Sequence, residues 1–509
     1  MPDHDHPTDA FDDRVRRALD DATLGAALQT ATERFYLGRR ATWQELGDPD
    51  AVRRQVRAAR EKALSHLDET LTTLAANIEA RGGHVHFAVS ADEARHIVLD
   101  ICRQANARTV AKSKSMLTEE LDLNHALEAA GVRVVETDLG EWIIQLAGEP
   151  PSHIIAPAIH KTKAQVAALF SQALGQPIPA DASIPELTRI AREQLRQVFL
   201  EADVGISGVN FAIAETGTVS LVTNEGNGRY VTGVPPIHIA MMGAEKVVGT
   251  WEEWATSLKL LTRSATGQRI SSYVSTVTGP RRPGDADGPD EFHLVIVDAG
   301  RTKILGSAFR ESLLCIRCGA CLNACPVYRE IGGHAYGSAY SGPIGAVITP
   351  LLFGLDRFPE LPHASSLCGA CLDACPMMID LPRMLIDLRR LEAEGDPQFN
   401  FNADTRGGPP PVSQPPTPQP PLRSWAERLS FRLYRLGAQS PALYRLAGLG
   451  RLALKPFARG ERVAEAPLPI LGNWTAHRDF PLPAARPFHA RWSDLAAETT
   501  PPQEARHEP

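Results

Sequence analysis

An open, mainly parallel α/β sheet, joined to a cysteine-rich helical segment and a small C-terminal extension, is the fold class that the sequence predicts. Three observations carry it. From Gly83, short β-branched runs alternate with helical stretches, as in a sheet whose parallel strands are joined by crossover helices. Seven of the eight cysteines fall between Cys315 and Cys375, which is a ligand pattern rather than a disulfide framework. The run GGPPPVSQPPTPQPP from Gly407 favours an extended, semi-rigid spacer and marks a boundary.

The elements follow in order. Residues 1–80 read as a helical flank or lid, because AFDDRVRRALDDATLGAALQTATERF and DAVRRQVRAAREKALSHLDETLTTLAANIEA space apolar residues by three and four between charges. Residues 81–306 form the α/β domain. HVHFAV, RTVAKS and VRVVET alternate with the helices ADEARHIVLDICRQA and LTEELDLNHALEAAG, and further strands are expected at VNFAIAE, TVSLVTN and FHLVIVDAG, with a helix at WEEWATSLKLLTR. Residues 307–395 form the cysteine-rich segment, 396–422 the proline-rich linker, 423–499 a docking extension and 500–509 a disordered tail. In the extension, Trp425, Leu429, Leu433 and Leu436 line one face of a short helix, surrounded by Arg423, Arg428, Arg432 and Arg435.

With 43% hydrophobic and 22% charged residues in 509, the chain is globular and has more than one domain. A net charge of -7 argues against a nucleic-acid partner. The acidic start MPDHDHPTDAFDD has neither the positive charge nor the apolar stretch of a secretory signal. The longest apolar stretch, Gly342 to Leu355, is interrupted by Pro343 and Pro350 and is too short to span a bilayer. A cytoplasmic location is therefore expected.

The run Cys315-Ile-Arg-Cys318-Gly-Ala-Cys321-Leu-Asn-Ala-Cys325-Pro326 has the spacing of bacterial ferredoxins, in which the last cysteine ligates the other of two clusters. Its counterpart is Cys368-Gly-Ala-Cys371-Leu-Asp-Ala-Cys375-Pro376. Crossed ligation assigns Cys315, Cys318, Cys321 and Cys375 to one [4Fe-4S] cluster and Cys325, Cys368 and Cys371 to a second. Three residues before Cys368, where an eight-cysteine ferredoxin has its remaining ligand, stands Ser365. The fourth corner of cluster 2 is thus open between Ser365, His363, solvent, a partner subunit and a three-iron form. Structural zinc is the competing reading of cysteine tetrads. Cys102, in HIVLDIC, reads as a core thiol.

The chain resembles the lactate-utilization protein B family in AKSKSMLTEE (Ala111 to Glu120), in Gly205 to Val248, and in both cysteine runs including SSLCGACLDACP. The resemblance implies an iron-sulfur subunit of a three-protein L-lactate oxidation system. It also implies an α/β domain similar in fold to CoA transferases and sugar-phosphate isomerases, and a seven-cysteine pattern as a family feature. Other subunits of that system and an unidentified electron acceptor are the partners it implies.

No dinucleotide fingerprint is present. Gly226-Asn227-Gly228-Arg229-Tyr230-Val231 lacks the third glycine and reads as a turn without a following helix. Lys112-Ser113-Lys114-Ser115 and Asn224 to Arg229 are candidates for an anion pocket at strand ends, against solvated lysines and a tight turn; Glu215 and Thr216 carry the same two readings. The histidines, with His84 and His86 on one strand, suggest no metal pair. An α/β-domain enzyme with ancillary clusters, and a zinc-stabilised assembly module, are the alternatives to an electron carrier.

Overall fold

The computed structural model describes residues 10–396, 398–401, 404–407, 420–447, 450–463, 480–486 and 488–499. The tail at 500–509 and most of the proline run lie outside the described residues. The chain divides into two compact units, one through Leu422 and one from Arg423.

Among the described residues of the first unit lie ten strands: β1 (His84–Ala88), β2 (Thr109–Lys112), β3 (Arg133–Glu136), β4 (Val204–Gly208), β5 (Phe211–Ile213), β6 (Thr218–Thr223), β7 (Ile237–Gly243), β8 (Val247–Val248), β9 (Tyr273–Val277) and β10 (Glu291–Val297). Six form a sheet in the order β1-β10-β7-β4-β2-β3, and every pair in it is parallel. Near-continuous apolar runs such as Phe292 to Val297, all buried, are what a sheet covered on both faces requires. The strands at VNFAIAE and TVSLVTN belong to a separate sheet of order β8-β5-β6-β9, antiparallel except for β5 with β8.

Two local expectations are corrected. LTEELDLNHALEAAG is two helices, Met116–Glu120 and Leu123–Ala129, because Asp122 between them takes a left-handed backbone at φ 50°. The supposed turn at Gly226 opens a helix, Asn227–Gly233. Its glycines and threonine are poor helix formers, so packing decides: Val231 is fully buried, and the Val231 carbonyl lies where a side chain on Gly205 would project, 1.9 Å from an ideal Cβ.

The N-terminal helices Phe11–Asp20, Ala22–Gln44, Pro49–Ser65 and Leu67–Glu79 begin at predictable stops. Asp21 accepts from the Thr23 and Leu24 amides, and Asp48 caps a helix whose first residue is proline. They pack on both the α/β part and the cysteine-rich part: Leu28, Val56 and Leu64 share one core with Leu260, Leu322 and Tyr328. At the centre of that core the helix Gly342–Phe353 is buried at every residue. At the start of the expected linker, Asp396, Phe401, Thr405 and Arg406 are buried. The Thr405 amide donates to the Leu352 carbonyl, and Arg406 donates to the Glu120 carbonyl.

The second unit holds the helices Trp425–Gln439, Pro441–Ala447, Gly450–Leu454 and Phe488–Thr499 and a three-stranded antiparallel sheet. Val463 and Leu482 are the buried centre of its small core. Trp425, Leu429, Leu433 and Leu436 are all exposed. Among the described residues no helix is long and apolar enough to cross a membrane.

Candidate iron-sulfur centre

The two cysteine runs adopt one conformation twice. Each has a five-residue helix, Ala320–Ala324 or Ala370–Ala374, entered through a left-handed glycine, Gly319 or Gly369, and ended by an extended cysteine, Cys325 or Cys375. A small cavity is lined by Cys315, Cys318, Cys321 and Cys375 and walled by Ile154, Ile344, Met377 and Ile379. Three of these sulfurs come from the first run and one from the second. Cys325, Cys368 and Cys371 act on one another: the Cys371 thiol feels both Cys325 and Cys368, and Cys325 feels Cys368; Cys371 also acts on Cys321 of the first set. Cys368 is exposed, whereas Cys325 and Cys371 are buried.

Burial pushes the thiols of Cys318 and Cys371 up to about 12 and that of Cys375 to about 11, with neighbouring cysteines adding to the shift. Cys321 and Cys325 are raised for the same reason. A group of buried thiols that oppose one another's ionisation becomes a thiolate set only when cationic metal compensates it. The donor set therefore fits iron-sulfur clusters. Cys368 is held below its ordinary value by hydrogen bonds from Ser366 and the Ala370 amide. Cys102, by contrast, is buried in the apolar core beside Val98 and Ile101 and raised to about 12 by that burial.

A collar of cations surrounds the first four cysteines. Arg39, buried and stacked 3.9 Å over Trp43, responds to Cys318 and Cys375. Arg53 donates to the Cys375 carbonyl at 2.6 Å, and Lys246 to the Cys315 carbonyl at 3.1 Å. Arg60, fully buried, donates to the Val247 and Leu313 carbonyls. Arg317, inside the first run, lies 4.7 Å from the Tyr340 ring centroid and 3.8 Å from Glu245. Glu245 continues to Arg301 at 2.7 Å, and Arg301 reaches Glu120 at 2.8 Å, with Tyr340 donating to Glu120 at 2.6 Å. This buried network ties the α/β domain to the cysteine loop. Only Arg317, two residues from Cys315, was visible as part of the motif.

The remaining candidates divide. Neither lysine of Lys112-Ser113-Lys114-Ser115 is solvated: Lys112 is fully buried between Glu119 and Glu136, and Lys114 lies 3.7 Å from the buried Glu141. The two segments do converge, since Lys114 acts on Glu225, which accepts from the Leu139 amide at 3.1 Å. Arg229 stacks on Tyr273 instead. Glu215 accepts from the Trp251 amide and Thr216 pairs with Thr218, both structural roles. His84 and His86 stack on His293. A histidine pair that the sequence did not suggest joins Glu149: ligand atoms of Glu149, His160 and His334 lie within 4.8 Å of one another. There Glu149 is already paired with Lys161, and His334 donates to the Pro150 carbonyl.

Residues 71–297 match the LUD domain, 311–379 a 4Fe-4S dicluster domain, and 408–495 the C-terminal domain of lactate utilisation protein B. A relative from Bacillus velezensis named lactate utilization protein B is 46% identical over 489 residues, 96% of this chain and 97% of that one. The chain belongs to the lactate utilization protein B family. A member from Geobacillus kaustophilus is 47% identical over 93% of this chain and 94% of its own, and one from Bacillus subtilis 45% identical over 96% of each. A DUF162 family protein from Deinococcus radiodurans aligns with 45% of this chain and 98% of its own at 16% identity and a TM-score of 0.24, too low to carry an argument.

Proposed function

We propose that this chain is a cytoplasmic electron carrier of lactate utilization that passes electrons from L-lactate oxidation to pyruvate through two [4Fe-4S] clusters. Cys315, Cys318, Cys321 and Cys375 hold one cluster; Cys325, Cys368 and Cys371 hold the other. The observation that carries the reading is the cavity lined by cysteines of both runs. Bound clusters would supply one-electron transfer; a partner cofactor must then split the electron pair of a 2-hydroxy acid. The chain's own residues supply the rest. Apolar walls at Ile154, Ile344 and Met377 keep water from the first cluster, and the Arg39, Arg53 and Arg317 collar offsets its negative charge.

Spacing weighs against structural zinc. Zinc sites usually pair two short cysteine hairpins, whereas two runs of ferredoxin spacing, each closed by Cys-Pro, suit a cube. Anaerobic purification with iron, sulfide and electron paramagnetic resonance analysis, before and after dithionite, tests the reading on wild type and Cys315→Ala. About eight irons with two interacting reduced signals, and loss of one cluster in the variant, are expected. Zinc without sulfide sinks the proposal.

A second reading, an enzyme of the α/β domain, is favoured by one cluster. At the carboxyl ends of β2 and β3, Glu141 is pushed up to about 8 and Glu225 to about 7, each mainly by burial. The Lys114 ammonium, one Glu141 oxygen, one Glu136 oxygen and the Asn124 carbonyl oxygen are buried there without a hydrogen-bond partner. Unpaired polar groups outside strand ends mark binding sites in open α/β sheets. Saturable binding of L-lactate or pyruvate to the wild type, lost in Lys114→Met, would support it.

A further inference from the structure

The cluster on Cys325, Cys368 and Cys371 lacks a fourth cysteine, and the internal repeat says what stands in its place. Superposing the two runs by sequence pairs Cys318 with Cys368, Cys321 with Cys371 and Cys325 with Cys375, and so pairs Cys315 with Ser365. The backbone obeys the same pairing. Arg317 and Leu367, each just before the paired Cys318 and Cys368, are both left-handed, at φ 57° and 53°, a conformation that a non-glycine residue adopts at a cost. Gly319 and Gly369 follow at φ 74° and 84°, and each caps a five-residue helix.

The hydrogen bonds repeat as well. The Arg317 amide donates to the Cys315 sulfur at 3.4 Å, and the Leu367 amide donates to the Ser365 hydroxyl oxygen at 3.1 Å. An amide two residues on therefore aims at the side-chain atom in both runs. In the first run that atom lines the cluster cavity. The neighbouring alternative is otherwise engaged: His363 pairs with Glu392 at 2.8 Å.

We propose that Ser365 Oγ is the fourth ligand of the second cluster, occupying the place that Cys315 Sγ occupies in the first. The inference rests on the two-cluster reading. On cluster assembly an Fe–O bond forms and the hydroxyl proton leaves to solvent, with no change in oxidation state. The Leu367 amide keeps its bond to the resulting alkoxide, as amides do to cluster sulfurs. A harder oxygen donor favours the oxidised cluster, so the second cluster is harder to reduce than its all-cysteine variant.

The test uses the full-length, anaerobically purified holoprotein as wild type, Ser365→Cys and Ser365→Ala. Iron and sulfide content, the reduction potential of each cluster, and pulsed electron resonance in ¹⁷O-enriched water are read for each. The wild type should hold four irons in cluster 2 with no exchangeable oxygen coupling. Ser365→Cys should keep full iron content with a higher potential for that cluster alone. Ser365→Ala should lose one iron from cluster 2 or gain an ¹⁷O-coupled solvent ligand. An ¹⁷O-coupled ligand in the wild type, a three-iron cluster in the wild type, or Ser365→Ala indistinguishable from the wild type overturns the proposal. A wild type without sulfide fails the two-cluster reading itself, whereas full iron in Ser365→Cys sustains that reading whatever Ser365 does.

Discussion

Arg39 is the sharpest probe of the collar around the first four cysteines. It is buried, its charge faces Cys318 and Cys375, and its helix belongs to the N-terminal flank rather than to the cysteine-rich segment. Arg39→Gln removes one positive charge close to the cluster. Taking a separation of about 8 Å and an effective dielectric constant of about 20 as round figures, a unit charge is worth about 2 kcal/mol to the added electron. For a one-electron couple at about 59 mV per factor of ten, that is about 90 mV. A dielectric constant of about 40 would halve it to about 45 mV. The variant should therefore lower the potential of the first cluster by about 45–90 mV and leave the second unmoved. Potentiometric titration followed by electron paramagnetic resonance measures this, with the first cluster identified as the signal lost in Cys315→Ala. Arg39→Lys, which keeps the charge, should stay within about 20 mV of wild type. Equal shifts in both clusters, or no shift in Arg39→Gln with iron content intact, would refute the electrostatic argument.

Other outcomes follow from the same contacts. Burial pushes the Glu245 carboxyl up, but Arg301, Lys246 and Arg317 outweigh it and hold the group at about 2. A depressed carboxyl contributes stability that is present above its unfolded value of about 4.5 and is lost as pH falls toward about 2, up to about 3 kcal/mol. The stability gap between wild type and Glu245→Gln, read from denaturant unfolding, should accordingly narrow between pH 6 and pH 3. Gly333→Ala would put a Cβ 1.7 Å from the Ser152 carbonyl oxygen, so poor soluble yield or a loss of more than about 3 kcal/mol is expected. Cys102→Ala should keep full iron content and cost about 1 kcal/mol of core packing, since Cys102 sits in an apolar cluster far in sequence from both runs.

Local spacing carried what the sequence made legible. The cysteine runs, the parallel sheet and the helices from Ala91 and Trp251 all announce themselves within a dozen residues, where periodicity and ligand geometry act. What escaped depends on distance along the chain. Arg53 meets the Cys375 carbonyl across 322 residues, and nothing local distinguishes it from the exposed Arg54 beside it. Strands β5 and β8, of three and two residues, are too short for alternation to assign them to a second sheet. Lys112 reads as a surface lysine until Glu119 and Glu136 are folded around it. Ser365 was legible as a gap in the motif, and only the repeated backbone turned the gap into a position.

These long-range contacts bear on whether the cysteine-rich segment can act alone. Its sequence resembles a small ferredoxin, which would fold independently. In the structure its core is not its own: Ile316, Leu322, Tyr328 and Ile331 share one apolar cluster with Leu28, Val56, Leu64 and Leu260, and the Cys315 and Cys375 carbonyls are held by Lys246 and Arg53. Cutting out residues 307–395 would expose the buried face of these side chains, at about 1.5–3 kcal/mol for each large one. A domain of this size has only about 5–15 kcal/mol to lose. The excised segment should therefore aggregate, or reconstitute with fewer than eight irons and a lower potential for the first cluster. A soluble fragment with full iron content and the potentials of the intact chain would show instead that the flank and the α/β domain are accessory to the clusters.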